Sequence, residues 1–218
     1  GGADRRRQVP DGPAHVHVGL AGTVMRFLPP VAVFTEKTVT FDGDPRARNR
    51  PLGPLVSALR SLGARIDSAP GGGLPLTVHG TGQLAGGAVT IDASASSQLV
   101  SGLLLAAPAF TGGLVVRHAG PPVPSAPHLR MTVQMLRQAG AAVDDSMPDV
   151  WAVQPGRLLG RAWDIEPDLS GAAPFLAAAL LTGGAVTVPE WPIRTTQAGD
   201  QLRNLLTRMG GKCTLRPE

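Results

Sequence analysis

Three stretches of the chain are apolar at nearly every position: LAGTVMRFLPPVAVF from Leu20, SSQLVSGLLLAAPAF from Ser96 and LSGAAPFLAAALLTGG from Leu169. A helix that is hydrophobic all round belongs in an interior, so each predicts a buried helix opened by small residues. Their starts lie 76 and 73 residues apart. A second helical segment follows each one: PLGPLVSALRSLGARID, APHLRMTVQMLRQAGAAVD and TTQAGDQLRNLLTRMGGKC. These end in Gly-containing turns, LGA at Leu62, AGA at Ala139 and MGG at Met209, which repeat at 77 and 70 residues.

Between the helices lie β-rich or alternating runs bounded by Gly, Pro and Asp: KTVTFDGD, PLTVHG, AVTIDAS, GLVVRHAG, VWAVQPG and AVTVPEW. Each unit therefore reads strand, helix, strand, helix, then one or two strands. The fold class predicted is α/β, built from repeated βαβαββ units packed around their helices. The period is longer than that of ordinary solenoid arrays, so a few units are expected and not an open-ended stack.

Composition narrows the picture. The 218 residues are 43% hydrophobic, enough for a sizeable core, and no apolar run approaches the length needed to span a bilayer. A soluble protein is expected. The chain does not begin with Met, and GGADRRRQVPDG lacks the apolar core of a signal peptide, so it reads as a segment of something longer. The lone Cys213 excludes an internal disulfide framework and a Cys-based zinc site, which fits a reducing cytoplasm. The net charge of +4 comes from 18 Arg and 2 Lys against 16 acids. The arginines are scattered and few aromatics interleave them, so a nucleic-acid partner is not expected. Small anions fit better, because guanidinium forks match phosphate and carboxylate oxygens in pairs.

Candidate chemistry collects at the helix starts. Ser96, Ser97 and Gln98 offer hydroxyls, an amide and free backbone N–H groups to one anion, although the plainer role of a serine there is to cap the helix. AGTVMR, residues 21–26, brings Gly22, Thr23 and Arg26 together but lacks the Lys and glycine spacing of a P-loop. In PSAPHLR, Ser125 could cap a helix or bind a ligand oxygen, and His128 could be an acid, a stacking surface or a solvated side chain. His15 and His17 alternate on a strand with no third ligand, so no metal site is expected. FDGDPRARNRPLG, residues 41–53, follows a strand and precedes a helix, setting Arg46, Arg48 and Arg50 in a loop at a strand's carboxyl end. Three guanidiniums beside only Asp42 and Asp44 suggest a role in holding an anion.

With these residues in place, the chain resembles the 5-enolpyruvylshikimate-3-phosphate synthase family, in its actinobacterial form. The likeness runs through AGTVMRF, FDGDPRARNRPLGPLVSALRSLGA, IDASASSQLVSGLL, VPSAPH and WDIEPDLSGAAPFLAAALLTGG. It implies transfer of the enolpyruvyl group of phosphoenolpyruvate to the 5-hydroxyl of shikimate 3-phosphate, with release of phosphate, on the route to chorismate. It implies no cofactor, no metal, a cytoplasmic location, no membrane partner, and a monomer at full length. It also implies an inside-out, two-lobed α/β enzyme, of which residues 1–166 form most of the first lobe and 167–218 the first unit of the second. The segment alone is then expected to be inactive.

By the same resemblance, Ser96, Ser97 and Ser125 hold the shikimate phosphate, and Gln98 lies between the two substrates as a catalytic residue. Arg50, the other catalytic residue, grips phosphoenolpyruvate. Arg26 supports the site, Thr23 accompanies Gly22, and Gly22 lies where phosphoenolpyruvate and the inhibitor glyphosate bind. Asp168 falls near the crossing between lobes. Two positions depart from the pattern: His128 stands where many members carry a Tyr against the shikimate ring, and Leu20 replaces an Asn before AGT, which implies altered affinity but the same reaction. The sister family, which uses UDP-N-acetylglucosamine, normally carries a Cys in the loop matching residues 41–53, and here that loop has none. A non-catalytic ligand-binding fragment is the other alternative.

Overall fold

A computed structural model describes residues 12–216. Strand β1 (Ala14–His17) lies parallel to β2 (Thr38–Asp42), and helix α1 (Gly22–Ala32) makes the crossover between them. A one-turn helix α2 (Pro45–Arg48) and helix α3 (Gly53–Ser61) follow, then β3 (Arg65–Ala69) and β4 (Gly73–His79). The sheet order is β1-β2-β4-β3, with the last two pairings antiparallel. The second unit repeats this arrangement. Strands β5 (Gly87–Ile91) and β6 (Leu114–His118) pair in parallel across α4 (Gln98–Ala106). Helix α5 (Ala126–Gln138) leads to β7 (Val143–Asp144) and β8 (Val150–Val153), giving the order β5-β6-β8-β7 with the same sense at every pairing. The repeat in the sequence is therefore a repeat of topology.

The third unit differs. Helices α6 (Leu169–Thr182) and α7 (Leu202–Arg208) form where the pattern places them. AVTVPEW, at 185–191, and the residues after MGG do not become strands; no strand is assigned among the described residues beyond Val153. An extended run becomes a strand only when a neighbouring edge accepts its backbone hydrogen bonds, and among the described residues it pairs with none. Glu190 also turns into the left-handed region at φ 55°, flanked by Pro189 and Pro192, which ends the run.

The core lies around α1 and α4. Met25 on α1, Leu99, Leu103 and Leu104 on α4, Leu55 and Leu59 on α3 and Phe110 are all fully buried. Helix α4 packs against α1, α3, α5 and β6. Two residues set the closeness of α1 and α4. Pro30 has no N–H to give the Arg26 carbonyl four residues earlier. Gly102 faces that carbonyl so tightly that any Cβ there would overlap it. Among the described residues no helix is long and apolar enough to cross a membrane.

Candidate functional site

The loops leaving the carboxyl ends of β1, β2, β5 and β6 carry almost all the predicted site residues. Gly22 follows β1, Arg50 follows β2, Ser96, Ser97 and Gln98 follow β5, and Ser125 and His128 follow β6. Parallel strand ends of this kind are where α/β sheets bind ligands.

At the centre is Arg26, 2% exposed on α1. Its Nη1 donates to Gln98 Oε1 at 2.8 Å, tying the starts of α1 and α4 together. Its Nε and Nη2 donate to the Pro51 carbonyl at 3.3 and 3.0 Å, which holds the loop behind Arg50. Arg50 comes over α1 and donates from Nη1 to the Leu20 carbonyl at 2.8 Å. That bond uses the backbone, so the Leu at position 20 leaves it intact. The guanidinium lies flush on Gly22, where a Cβ would come within 2.5 to 2.8 Å of Nη2, Nη1 and Cζ. Gly22 is thus the residue that lets a cation sit on the first turn of α1.

Among the described residues neither Arg26 nor Arg50 meets a carboxylate. Burial, and secondarily the charge of Arg50, push the Arg26 guanidinium below its ordinary pKa. Two cations and two helix N-termini converge without an internal counter-charge, an arrangement that an anion would complete.

The other two arginines of the loop do not join them. Arg48 pairs with Asp42 through Nε to Oδ1 at 3.0 Å and Nη2 to Oδ2 at 2.6 Å, which holds the Asp42 carboxyl below its usual range. Arg46 is exposed on α2, whose first turn Asp44 caps through the Arg46 N–H at 2.8 Å. The expectation that the three arginines gather at one place is corrected: only Arg50 reaches the start of α1. Spacing does not show which side of a helical turn each side chain leaves from.

The serines divide as well. Ser96 Oγ accepts from the Gln98 N–H at 3.3 Å, a long capping contact, while Ser97, 4% exposed at the N-cap of α4, makes no side-chain cap bond. Ser125 occupies the N-cap of α5 in the left-handed region, φ 56° and ψ 47°, again with no cap bond from its side chain. A non-glycine residue held there at a loop tip stores strain of the kind found at ligand clamps. Its hydroxyl is exposed and uncommitted to the helix.

His128 is exposed one turn into α5, and its carbonyl accepts from Thr132 Oγ1 at 2.9 Å. Thr132 Oγ1 lies 2.8 Å from Ser101 Oγ, a buried pair that fastens α5 to α4. Thr23 is exposed in the first turn of α1. Asp168 stands apart as the N-cap of α6, accepting from the Gly171 N–H at 2.9 Å. Among the described residues no group of three or more His, Cys, Asp or Glu could hold a metal ion. His118, which sequence reasoning missed, bridges the two serine-bearing loops.

Duplicated βαβαββ units with Arg26 and Arg50 gathered at helix starts beside their strand ends define the class as a repeat-built α/β protein. The sequence pattern of EPSP synthase (3-phosphoshikimate 1-carboxyvinyltransferase) matches residues 3–218, and the chain belongs to that family. It is 57% identical over 193 residues to the 3-phosphoshikimate 1-carboxyvinyltransferase of Mycobacterium ulcerans (strain Agy99), covering 88% of this chain and 44% of that protein. Two structures of EPSP synthase from Acinetobacter baumannii superpose with a TM-score of 0.70 at 28% identity, over 90% of this chain and 43% of theirs. The chain therefore spans less than half the length of the relatives it matches.

Proposed function

We propose that this chain supplies the shikimate 3-phosphate lobe, and part of the phosphoenolpyruvate site, of an enolpyruvyl transferase. The hydroxyl oxygen of shikimate 3-phosphate replaces the phosphate oxygen on the enol carbon of phosphoenolpyruvate, and the hydroxyl proton leaves with inorganic phosphate. The observation that carries this reading is the Arg26–Gln98 bond beneath an Arg50 seated on Gly22. It joins two helix starts around cations that, among the described residues, meet no carboxylate.

Both substrates are polyanions. Bringing them together costs heavily unless fixed donors offset the charge, and a partly buried guanidinium does this far better than one in water. Ser96, Ser97 and Ser125 hold the shikimate phosphate from two adjoining loops, with His128 against the ring. Arg50 and the first turn of α1, Gly22 and Thr23, receive phosphoenolpyruvate. Gln98, oriented by Arg26, stands between the two. Holding both reactants this way makes the transfer effectively intramolecular. Asp168 marks the start of a second lobe near Glu166. The same reading takes the full-length protein as cytoplasmic and monomeric.

The test is phosphate release by the full-length polypeptide with shikimate 3-phosphate and phosphoenolpyruvate, with UDP-N-acetylglucosamine as the competing acceptor. Turnover with the first acceptor alone, lost in Ser96→Ala combined with Ser125→Ala, is expected. Turnover with the nucleotide sugar, or none with either, would defeat the reading. The 218-residue chain by itself is expected to bind shikimate 3-phosphate without turnover, seen as a rise in melting temperature with ligand.

A further inference from the structure

Strands β5 and β6 run side by side to their last residues, where Ile91 stands opposite His118. The chain leaving β5 delivers Ser96, Ser97 and Gln98 to α4, and the chain leaving β6 delivers Ser125 and His128 to α5. The His118 ring sits where these two loops part. Its Nδ1 lies 3.2 Å from the Ala93 amide nitrogen and 3.2 Å from the Ile91 carbonyl oxygen. Its Nε2 lies 2.8 Å from the Pro121 carbonyl oxygen. An amide N–H can only donate, so Nδ1 accepts from Ala93, and the ring proton stays on Nε2 and is donated to Pro121.

One ring thereby ties the loop that carries Ser96 and Ser97 to the loop that carries Ser125. Two further contacts confirm that the loops meet here. The Ala119 N–H donates to the Ile91 carbonyl at 3.1 Å, and Gly120 presses against Asp92, where a Cβ would lie 2.7 Å from Oδ1. Asp92 in turn shapes the serine loop by accepting from the Ser94 N–H at 2.9 Å.

We infer that His118 is a positioning residue for the phosphate of shikimate 3-phosphate: it sets the separation of the Ser96–Ser97 turn from the Ser125 turn, so that hydroxyls from two loops converge on one anion. This rests on the assignment of those serines under the proposed function. Ser125 makes no side-chain cap bond, so its place depends on the loop that Pro121 anchors. Donors fixed before binding spare the ligand the entropy of arranging them. The α1 side of the site, with Arg50 and Gly22, receives no bond from His118. The effect therefore falls chiefly on shikimate 3-phosphate.

The test uses the full-length polypeptide and three substitutions. His118→Phe keeps a planar ring, slightly larger, and removes both ties. His118→Asn places an acceptor near the position of Nδ1, and His118→Gln a donor near that of Nε2, so each restores one tie. Loss of two net hydrogen bonds predicts a rise of about tenfold in KM for shikimate 3-phosphate in His118→Phe. KM for phosphoenolpyruvate stays within about twofold, and the Asn and Gln variants each recover roughly half of the loss on a logarithmic scale. A role in stability alone would lower the amount of active enzyme without separating the two KM values.

Unchanged KM values in all three variants, or equal rises for both substrates, would overturn the inference. If His118→Phe does not fold, the Asn and Gln variants decide it alone, with a rise of about threefold in KM for shikimate 3-phosphate expected and no change fatal. A wild-type protein that does not turn these substrates over sinks the proposed function itself. Normal wild-type turnover with unaltered variants sinks only the role of His118.

Discussion

Helices α4 and α6 occupy equivalent places in successive units, and both are apolar around their whole circumference, yet they meet opposite fates. On α4, Leu99, Val100, Leu103 and Leu104 are fully buried. On α6 only Leu169 is buried, while Phe175 is 66% and Leu181 85% exposed. Helix α4 has α1, α3, α5 and β6 around it, whereas α6 meets α7 and the turn Ala198–Gln201. The 3.6-residue pattern reports a demand for burial, and only the surrounding elements decide whether that demand is met. An open groove of about 750 Å³ lined by Leu176, Val186, Trp191, Ile193 and Leu206 shows the same thing in the third unit.

The sharpest way to break this comparison is to delete one leucine from each helix. Leu103→Ala removes a fully enclosed side chain and is expected to cost about 2–5 kcal/mol, the range for a cavity that neighbours cannot fill. Leu181→Ala is expected to fall within about 0.5 kcal/mol of zero, because the side chain is already mostly in water. Urea denaturation midpoints for the two variants would settle it. Comparable losses would mean that α6 is covered in solution.

A smaller effect probes the α1–α4 contact alone. Ala normally improves on Gly inside a helix by about 1 kcal/mol, but a Cβ at Gly102 meets the Arg26 backbone carbonyl, which cannot rotate away as a side chain would. Gly102→Ala is therefore expected to lose about 1–3 kcal/mol net, and to loosen the Arg26–Gln98 bond that the contact sets up. A stabilised variant would show that the helices part easily. At the mouth of the site, Gly22→Ala meets the flexible end of Arg50 instead. It is expected to leave stability within about 0.5 kcal/mol while displacing the guanidinium, read as a raised KM for phosphoenolpyruvate in the full-length polypeptide.

The repeat of helices and strands was legible because hydrophobic periodicity is a local property, and both complete units formed as the pattern predicted. AVTVPEW carried the same β-rich signal as AVTIDAS but found no sheet edge, and pairing is not encoded in the run itself. The candidate site was legible as four groups of residues at element ends, and the structure puts two of their loops at the ends of the paired strands β1 and β2 and two at the ends of β5 and β6. What the sequence left hidden was partnership. Arg46, Arg48 and Arg50 look alike in the chain, yet Asp42 occupies Arg48 and only Arg50 reaches Gly22. His118 had no motif at all. Its importance comes from ending a strand beside Ile91, a matter of register between residues 27 positions apart.

The smallest expected effect concerns what holds the third unit together in place of a buried helix. Asp200 accepts from Trp191 Nε1 at 2.9 Å and from Arg203 Nε and Nη2 at 3.0 and 2.6 Å. The Trp191 bond is the largest influence on the Asp200 carboxyl; burial opposes it and outranks the Arg203 bond and charge, and the net result holds the carboxyl below its ordinary range. A carboxyl depressed in the folded state binds its proton more weakly there than in the unfolded chain. Its contribution is therefore fully present above the ordinary carboxylate pKa of about 4 and disappears as pH falls through the depressed value. Both side chains are about one-third exposed, so the contribution is small, about 0.5 kcal/mol. Helix α4 carries no titratable side chain and should not sense this change. Acid titration of the fluorescence difference between the chain and its Trp191→Phe variant isolates that indole. A step below pH ~4 that vanishes in Asp200→Asn is expected, whereas an unchanged step in Asp200→Asn would place the acid sensitivity of this unit elsewhere.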